Sequence, residues 1–206
     1  MRQMAKLNPI SDDSRPSHDE LERLRAENHE LRNENNELKA RFTALEVLAD
    51  TDTLTPLPNR RCLIRELDRV IRHVTRYKTC AALLFVDVNG LKKINDTYGH
   101  SAGDATLIHV AQLLRSTLRS TDLVARIGGD EFGLLLDPID PDAVIKKVAT
   151  LHRLIALSPY NYGKAAREVG ISIGHTIILK DDTIEQILER ADTSMYSFKR
   201  DQRSDK

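Results

Sequence analysis

The chain has 206 residues, 40% hydrophobic and 30% charged, enough for one domain with a buried core and an appendage. Its 31 basic and 31 acidic side chains give a formal net charge of zero, which excludes a uniformly basic nucleic-acid binder. Two cysteines, Cys62 and Cys80, are too few for a disulfide framework or a four-cysteine zinc site and are expected to be reduced core thiols.

Residues 1–16, ending in SDDSRP, read as a loose tail with no signal-peptide stretch, and no apolar run reaches the length of a membrane span. The expected location is the cytoplasm. Residues 17–50 contain neither Gly nor Pro, and Leu24, Leu31, Leu38 and Leu45 recur every seventh position. With these leucines at d, Leu21, Asn28, Asn35, Phe42 and Ala49 fall at a, the signature of a coiled coil. In a parallel dimer the g–e′ pairs are Glu20–Arg25, Glu27–Arg32, Glu34–Lys39 and Arg41–Glu46, all opposite in sign. Consecutive a-position asparagines weaken such a seam but select a two-stranded, in-register pairing. The alternative is a single solvated helix held by i,i+4 pairs. A leucine-zipper transcription factor is excluded, because residues 1–20 carry Asp12, Asp13, Asp19 and Glu20 where a basic region would stand.

Beyond Asp50 the pattern alternates between helix and strand. A helix is expected from Pro58 with Leu63, Leu67, Val70, Ile71 and Val74 on one face. CAALLFVDV (80–88) is a continuous apolar run that suits a central strand. A helix follows Asp104; 123–127 and 132–137 are strands around a glycine turn; 141–157 is a helix, 169–179 a strand and 183–200 a last helix. The fold class is an α/β sandwich of the α+β kind, with a βαββαβ ferredoxin-like core preceded by the long helix. The expected division is tail 1–16, parallel dimeric stalk 17–50 and globular domain 51–206.

In this topology Asp87, at the end of the first strand, lies near the turn of the next hairpin. Asp87, Asp130 and Glu131 then converge at one sheet edge. Gathered carboxylates repel unless cations join them, and hard oxygen ligands suit Mg²⁺, which commonly bridges substrate phosphates. An ordinary acidic hairpin tip is the alternative on these three residues alone.

Residues 128–132 read GGDEF, 87–107 read DVNGLKKINDTYGHSAGDATL and 52–61 read DTLTPLPNRR. Together, from about Asp50 to Arg203, these resemble the GGDEF family of diguanylate cyclases. The resemblance implies the nucleotide-cyclase fold and the conversion of two GTP into cyclic di-GMP and two pyrophosphates by two facing domains. It implies Asp87, the Val88 carbonyl and Asp130 as ligands for Mg²⁺ or Mn²⁺, two ions per site. Asp130 is also the family's proposed base, with Glu131 beside it as a further catalytic carboxylate. It implies Asn95 and Asp104 as guanine readers, Leu54 and Leu107 as walls of the base slot, and His100, Lys92, Lys199 and Arg203 as further substrate contacts. Arg119 and Asp122 match the RxxD product-inhibition site. Pro56, Asn89, Gly90 and Gln202 depart from common family letters, but no catalytic letter is missing.

Three functional classes follow. They are an active cyclase, a degenerate domain that binds guanine nucleotides without turnover, and a coiled-coil scaffold with a passive module. The expected partners are GTP, cyclic di-GMP as product and inhibitor, a second copy through the stalk, and a regulatory protein on the stalk.

Overall fold

The computed structural model describes residues 17–162 and 165–204, without the side chains of 161, 162, 165, 166, 198, 199 and 201–204. The expected tail 1–16 therefore lies outside the described residues. By contacts the chain divides into two compact units, Met1–Leu48 and Ala49–Lys206.

The helix α1 (His18–Asp50), which runs through the first unit and ends two residues past it, is uninterrupted and has no buried residue. Asp19 and Glu20 stand in its first turn, where acidic side chains complement the helix dipole, and Ser17 Oγ accepts from the Glu20 main-chain N–H.

In the second unit a four-stranded antiparallel sheet runs in the order β2-β3-β1-β6. Its strands are β1 (Ala81–Asn89), β2 (Leu123–Gly128), β3 (Glu131–Leu136) and β6 (Gly170–Ile178). The helices are α2 (Arg60–Tyr77), α3 (Leu91–Tyr98), α4 (His100–Ser116), α5 (Pro141–Ala156) and α6 (Ile184–Ser204). Leu107, Val110, Ala111 and Leu114 of α4, with Val144, Leu151 and Ile155 of α5, pack on one sheet face against Ala82, Leu84, Val86 and Phe132. Leu63, Leu67, Val70 and Val74 of α2, with Ile187 and Ala191 of α6, cover the other face against Ala81, Leu83 and Leu135. This double cover explains why β1 is apolar without alternation although every ladder is antiparallel. The βαββαβ core is thus the expected one.

Two elements were not expected. The helix assigned after Asp104 begins at His100, and α3 precedes it. A two-stranded ladder, β4 (Tyr160–Tyr162) with β5 (Ala165–Arg167), stands before β6.

Candidate active site

The site is built where β1 ends. Asp87 is paired with Glu131 across the β1–β3 ladder, and the Val88 N–H donates to the Asp130 carbonyl at 3.0 Å. The hairpin turn between β2 and β3 needs glycine at 129, whose φ of +52° would strain an L side chain. Asp87 and Asp130 are half-buried, Val88 is buried and Glu131 is exposed. Among the described residues no group of three or more His, Cys, Asp or Glu side chains is close enough to hold a metal ion. The expected convergence therefore holds for the main chain, while the three carboxylates do not close into a cage. Asp87, Asp130 and the Val88 carbonyl would offer a hard, oxygen-only donor set, the chemistry Mg²⁺ and Mn²⁺ prefer. Asn89, where the family often has a second Asp, accepts from Ser172 Oγ at 2.9 Å and is thereby turned to β6.

Past Gly90, with φ +75°, α3 and α4 form the second wall. Lys92 is exposed in the first turn of α3, and His100 is exposed at the start of α4. Asn95 packs so closely on α4 that a Cβ at Gly103 would lie 1.9 Å from its Oδ1. Asp104 follows directly and is exposed, so the two expected guanine readers stand side by side. The Asn95 Oδ1 is buried and has no protein partner. Such an acceptor is costly unless a ligand or water meets it. Leu107 is 3% exposed, and Leu54, partly buried, packs against the apolar cluster to which Leu107 belongs. The backbone puts Lys199 and Arg203 on α6, with side chains outside the described residues.

Arg126 was missed by sequence reasoning and turns out to join the pieces. Its guanidinium donates to Asp52 Oδ1 and Oδ2 at 3.1 and 3.3 Å and to the Gly129 carbonyl at 2.8 and 3.2 Å. Its main-chain N–H donates to the Pro58 carbonyl. Asp52 in turn accepts from the Leu54 and Thr55 main-chain N–H groups and the Thr55 hydroxyl. Burial opposes ionisation of Asp52, but the Thr55 and Arg126 hydrogen bonds outweigh it and hold the carboxyl below its usual range. The segment 52–59 is thus clamped to the GGDEF turn. Its own ends are closed by an Asp52 N–H bond to Leu57 and an Asn59 N–H bond to Asp50, which restrict it more than Pro56 and Pro58 alone. The available signal was a charged residue inside the apolar strand LVARI, since a half-buried guanidinium requires a partner.

The RxxD segment lies apart from this edge. It is a tight turn in which the Asp122 carboxylate accepts from the Arg119 main-chain N–H at 3.1 Å. Lys147 of α5, a second residue that sequence reasoning missed, donates to the Thr117 carbonyl beside it. Burial pushes the Lys147 amine below its ordinary pKa, with Asp122 opposing that shift. A cleft of about 510 Å³ opens next to the turn, lined in part by Ser120, Thr121, Asp122, Arg69 and Asp137.

The family model for the diguanylate cyclase GGDEF domain matches residues 49–205. The chain belongs to the GGDEF diguanylate cyclase domain family. The diguanylate cyclase TpbB of Pseudomonas aeruginosa is 34% identical over 97% of this chain and 44% of its own length. The response regulator PleD of Caulobacter vibrioides is 35% identical over 74% of this chain and 34% of its own. The chain thus spans less than half the length of these curated relatives. Among solved structures, diguanylate cyclase SiaD of Pseudomonas aeruginosa, in complex with its activator SiaC, superposes with a TM-score of 0.77 at 30% identity, covering 89% of this chain and 71% of that one. The coiled coil and GGDEF domain of DgcB from Caulobacter crescentus, in complex with c-di-GMP, gives 0.76 over 86% and 94% of the two chains; at 24% identity it shares the fold. GGDEF diguanylate cyclases are divalent-metal dependent as a group. No helix among the described residues is long and apolar enough to cross a membrane.

Proposed function

We propose that this GGDEF domain condenses two GTP into cyclic di-GMP and two pyrophosphates, working as a facing pair with one GTP in each domain. The reading is carried by the joining of the Asp87–Val88 strand end to the Gly-Gly-Asp-Glu turn beside the Asn95–Asp104 slot. Each 3′-oxygen bonds to the α-phosphorus of the other nucleotide, the α–β phosphoanhydride bond breaks, and the 3′-hydroxyl proton leaves. Asp104 accepts from guanine N1–H and N2–H₂, while Asn95 Oδ1 accepts and its amide donates to the purine edge. Leu54 and Leu107 exclude water from the base faces. Lys92 and the main-chain N–H groups after Gly90 meet the phosphates, joined by Lys199, Arg203 and His100. Asp87, the Val88 carbonyl and Asp130 would hold two Mg²⁺ or Mn²⁺ ions, which neutralise phosphate charge when bound. A carboxylate engaged with metal is a weak base, so metal holding fits Asp130 better than proton removal, with Glu131 adding negative charge beside it. The GTP substrate puts the domain in the cytoplasm.

Product returns to Arg119 and Asp122, where an Arg fork suits phosphate or a guanine Hoogsteen edge and the carboxylate suits guanine N–H groups. The stalk brings two copies together as a parallel coiled coil and offers a surface to a regulatory protein. SiaD, a structural relative, is itself held by an activator, which supports that reading.

The test is incubation of the protein with GTP and Mg²⁺ and identification of the product by mass. Cyclic di-GMP is expected, and Asp130→Ala is expected to abolish it while circular dichroism stays unchanged. Nucleotide binding with no turnover in the native protein would overturn the cyclase reading in favour of a receptor.

A further inference from the structure

We propose that the β4–β5 pair is a strap that positions the guanine slot from behind, with Arg167 and Tyr160 as its two positioning residues. The proposal rests on the reading of Asn95 and Asp104 as the base-binding pair. Tyr160 and Arg167 are register partners in the antiparallel ladder, so their side chains leave the same face of the pair. From that face they reach two different helices.

Tyr160 reaches α4. Its hydroxyl donates to the Ala102 carbonyl at 3.3 Å and hydrogen-bonds Thr106 Oγ1, which itself donates to Ala102 at 2.8 Å. Its ring stacks on His109 at 5.0 Å, and His109 Nε2 donates to the Ser158 carbonyl just before β4. These contacts bracket Asp104 on the buried side of the helix, while Asp104 itself stays exposed.

Arg167 reaches the other helix. Its guanidinium carbon lies 3.4 Å from the centroid of the Tyr98 ring at the end of α3. Asn95 is one turn earlier, and its carbonyl accepts from Gly99 N–H, so Tyr98 sits within the turn that Asn95 closes. The Arg167 Nε is buried with no hydrogen-bond partner, so the ring face is what compensates that side of the guanidinium. One short ladder therefore holds both halves of the slot. Neither strap residue touches the base, and each acts through the helix that carries a reader.

Loss of the strap should let α3 and α4 move apart and weaken nucleotide binding more than chemistry. Arg167→Ala is expected to raise KM for GTP about three- to tenfold, the size of one partly exposed cation–π contact, with kcat within about twofold. Arg167→Lys, which keeps a cation over the ring, is expected to restore most of that loss. Tyr98→Ala should match Arg167→Ala, and the double variant should be no worse than either alone. Binding of α,β-methylene-GTP, which cannot be turned over, should weaken in parallel. A fall in kcat with unchanged KM would mark Arg167 as merely structural and overturn the strap. So would an unaltered KM in Arg167→Ala alongside a raised KM in Asp104→Ala. An unaltered KM in Asp104→Ala would instead overturn the base-slot reading on which the strap depends.

Discussion

Arg126 and Asp52 form a paired charge in which both side chains are mostly buried, at 13% and 17% exposure. Removing the guanidinium leaves Asp52 and the Gly129 carbonyl short of a donor, which by the usual cost of hydrogen bonds to charged groups is about 1–3 kcal/mol. Arg126→Ala should therefore lower Tm by several degrees and also lower kcat, because the freed carbonyl belongs to the GGDEF turn. The pH dependence has a definite sign. The Asp52 carboxyl is held below its usual range in the folded state, so its contribution is complete above the unfolded value, near 4, and is lost as pH falls through the folded one. Asp52→Asn should be less stable than the native chain at neutral pH, and the gap should narrow below about pH 4. A gap independent of pH, read by thermal melts across pH 3–7, would mean the pair contributes packing and not charge. Asp87, Asp130 and Glu131 stood out at this scale because they are carboxylates at a strand end and a glycine turn, whereas Asp104 was singled out only through the family resemblance. Arg126 was equally exceptional, but its partner is 74 residues away and only the fold reveals it.

At the scale of elements, legibility followed apolar periodicity. β1 was evident as a continuous apolar run, and α2 and α4 showed regular faces that the two core clusters now bury. α3 and the β4–β5 pair were not visible for a common reason. α3 is short, polar and without a buried residue, and the β pair is three residues per strand, so neither has a periodic pattern to read. Both exist through tertiary contacts, α3 on α4 and the β pair through Tyr160 and Arg167. The RxxD segment is an element of the same kind. Its shape depends on the Asp122 carboxylate and on the main-chain N–H of Arg119, not on the Arg119 side chain. Arg119→Ala should thus leave the turn intact and remove only the guanidinium, relieving inhibition by added cyclic di-GMP without altering the uninhibited rate. Asp122→Ala should both relieve inhibition and loosen the turn, seen as faster amide exchange over 119–122. Equal responses of the native chain and Arg119→Ala to product would remove this site from the account.

At the scale of the whole molecule the open question is what covers α1. A 33-residue helix of about 50 Å buries nothing on its own, and Leu21, Leu24, Leu31, Leu38, Phe42 and Leu45 are 39–64% exposed. These are the a and d positions of the heptads, flanked by residues whose g–e′ pairs are all opposite in sign in a parallel, in-register dimer. On the proposed reaction, which takes two domains with one GTP each, a pairing that buried the stripe would also supply the second half of the active unit. Tethering raises the effective concentration of one domain near the other toward the millimolar range. Asn28 and Asn35 at successive a positions would make such a seam weaker than an all-leucine one. Replacing both with Leu or Ile should tighten association and shift the mass toward higher oligomers. Deleting residues 1–46 should leave a folded domain, since its two apolar clusters lie wholly within 54–191. That domain should sediment as a monomer at micromolar protein, with specific activity rising with its concentration, whereas activity of the full chain stays level once the stalk is paired. If the truncated domain remains dimeric and fully active at micromolar protein, contacts between the domains themselves assemble the enzyme and the stalk serves only its regulators.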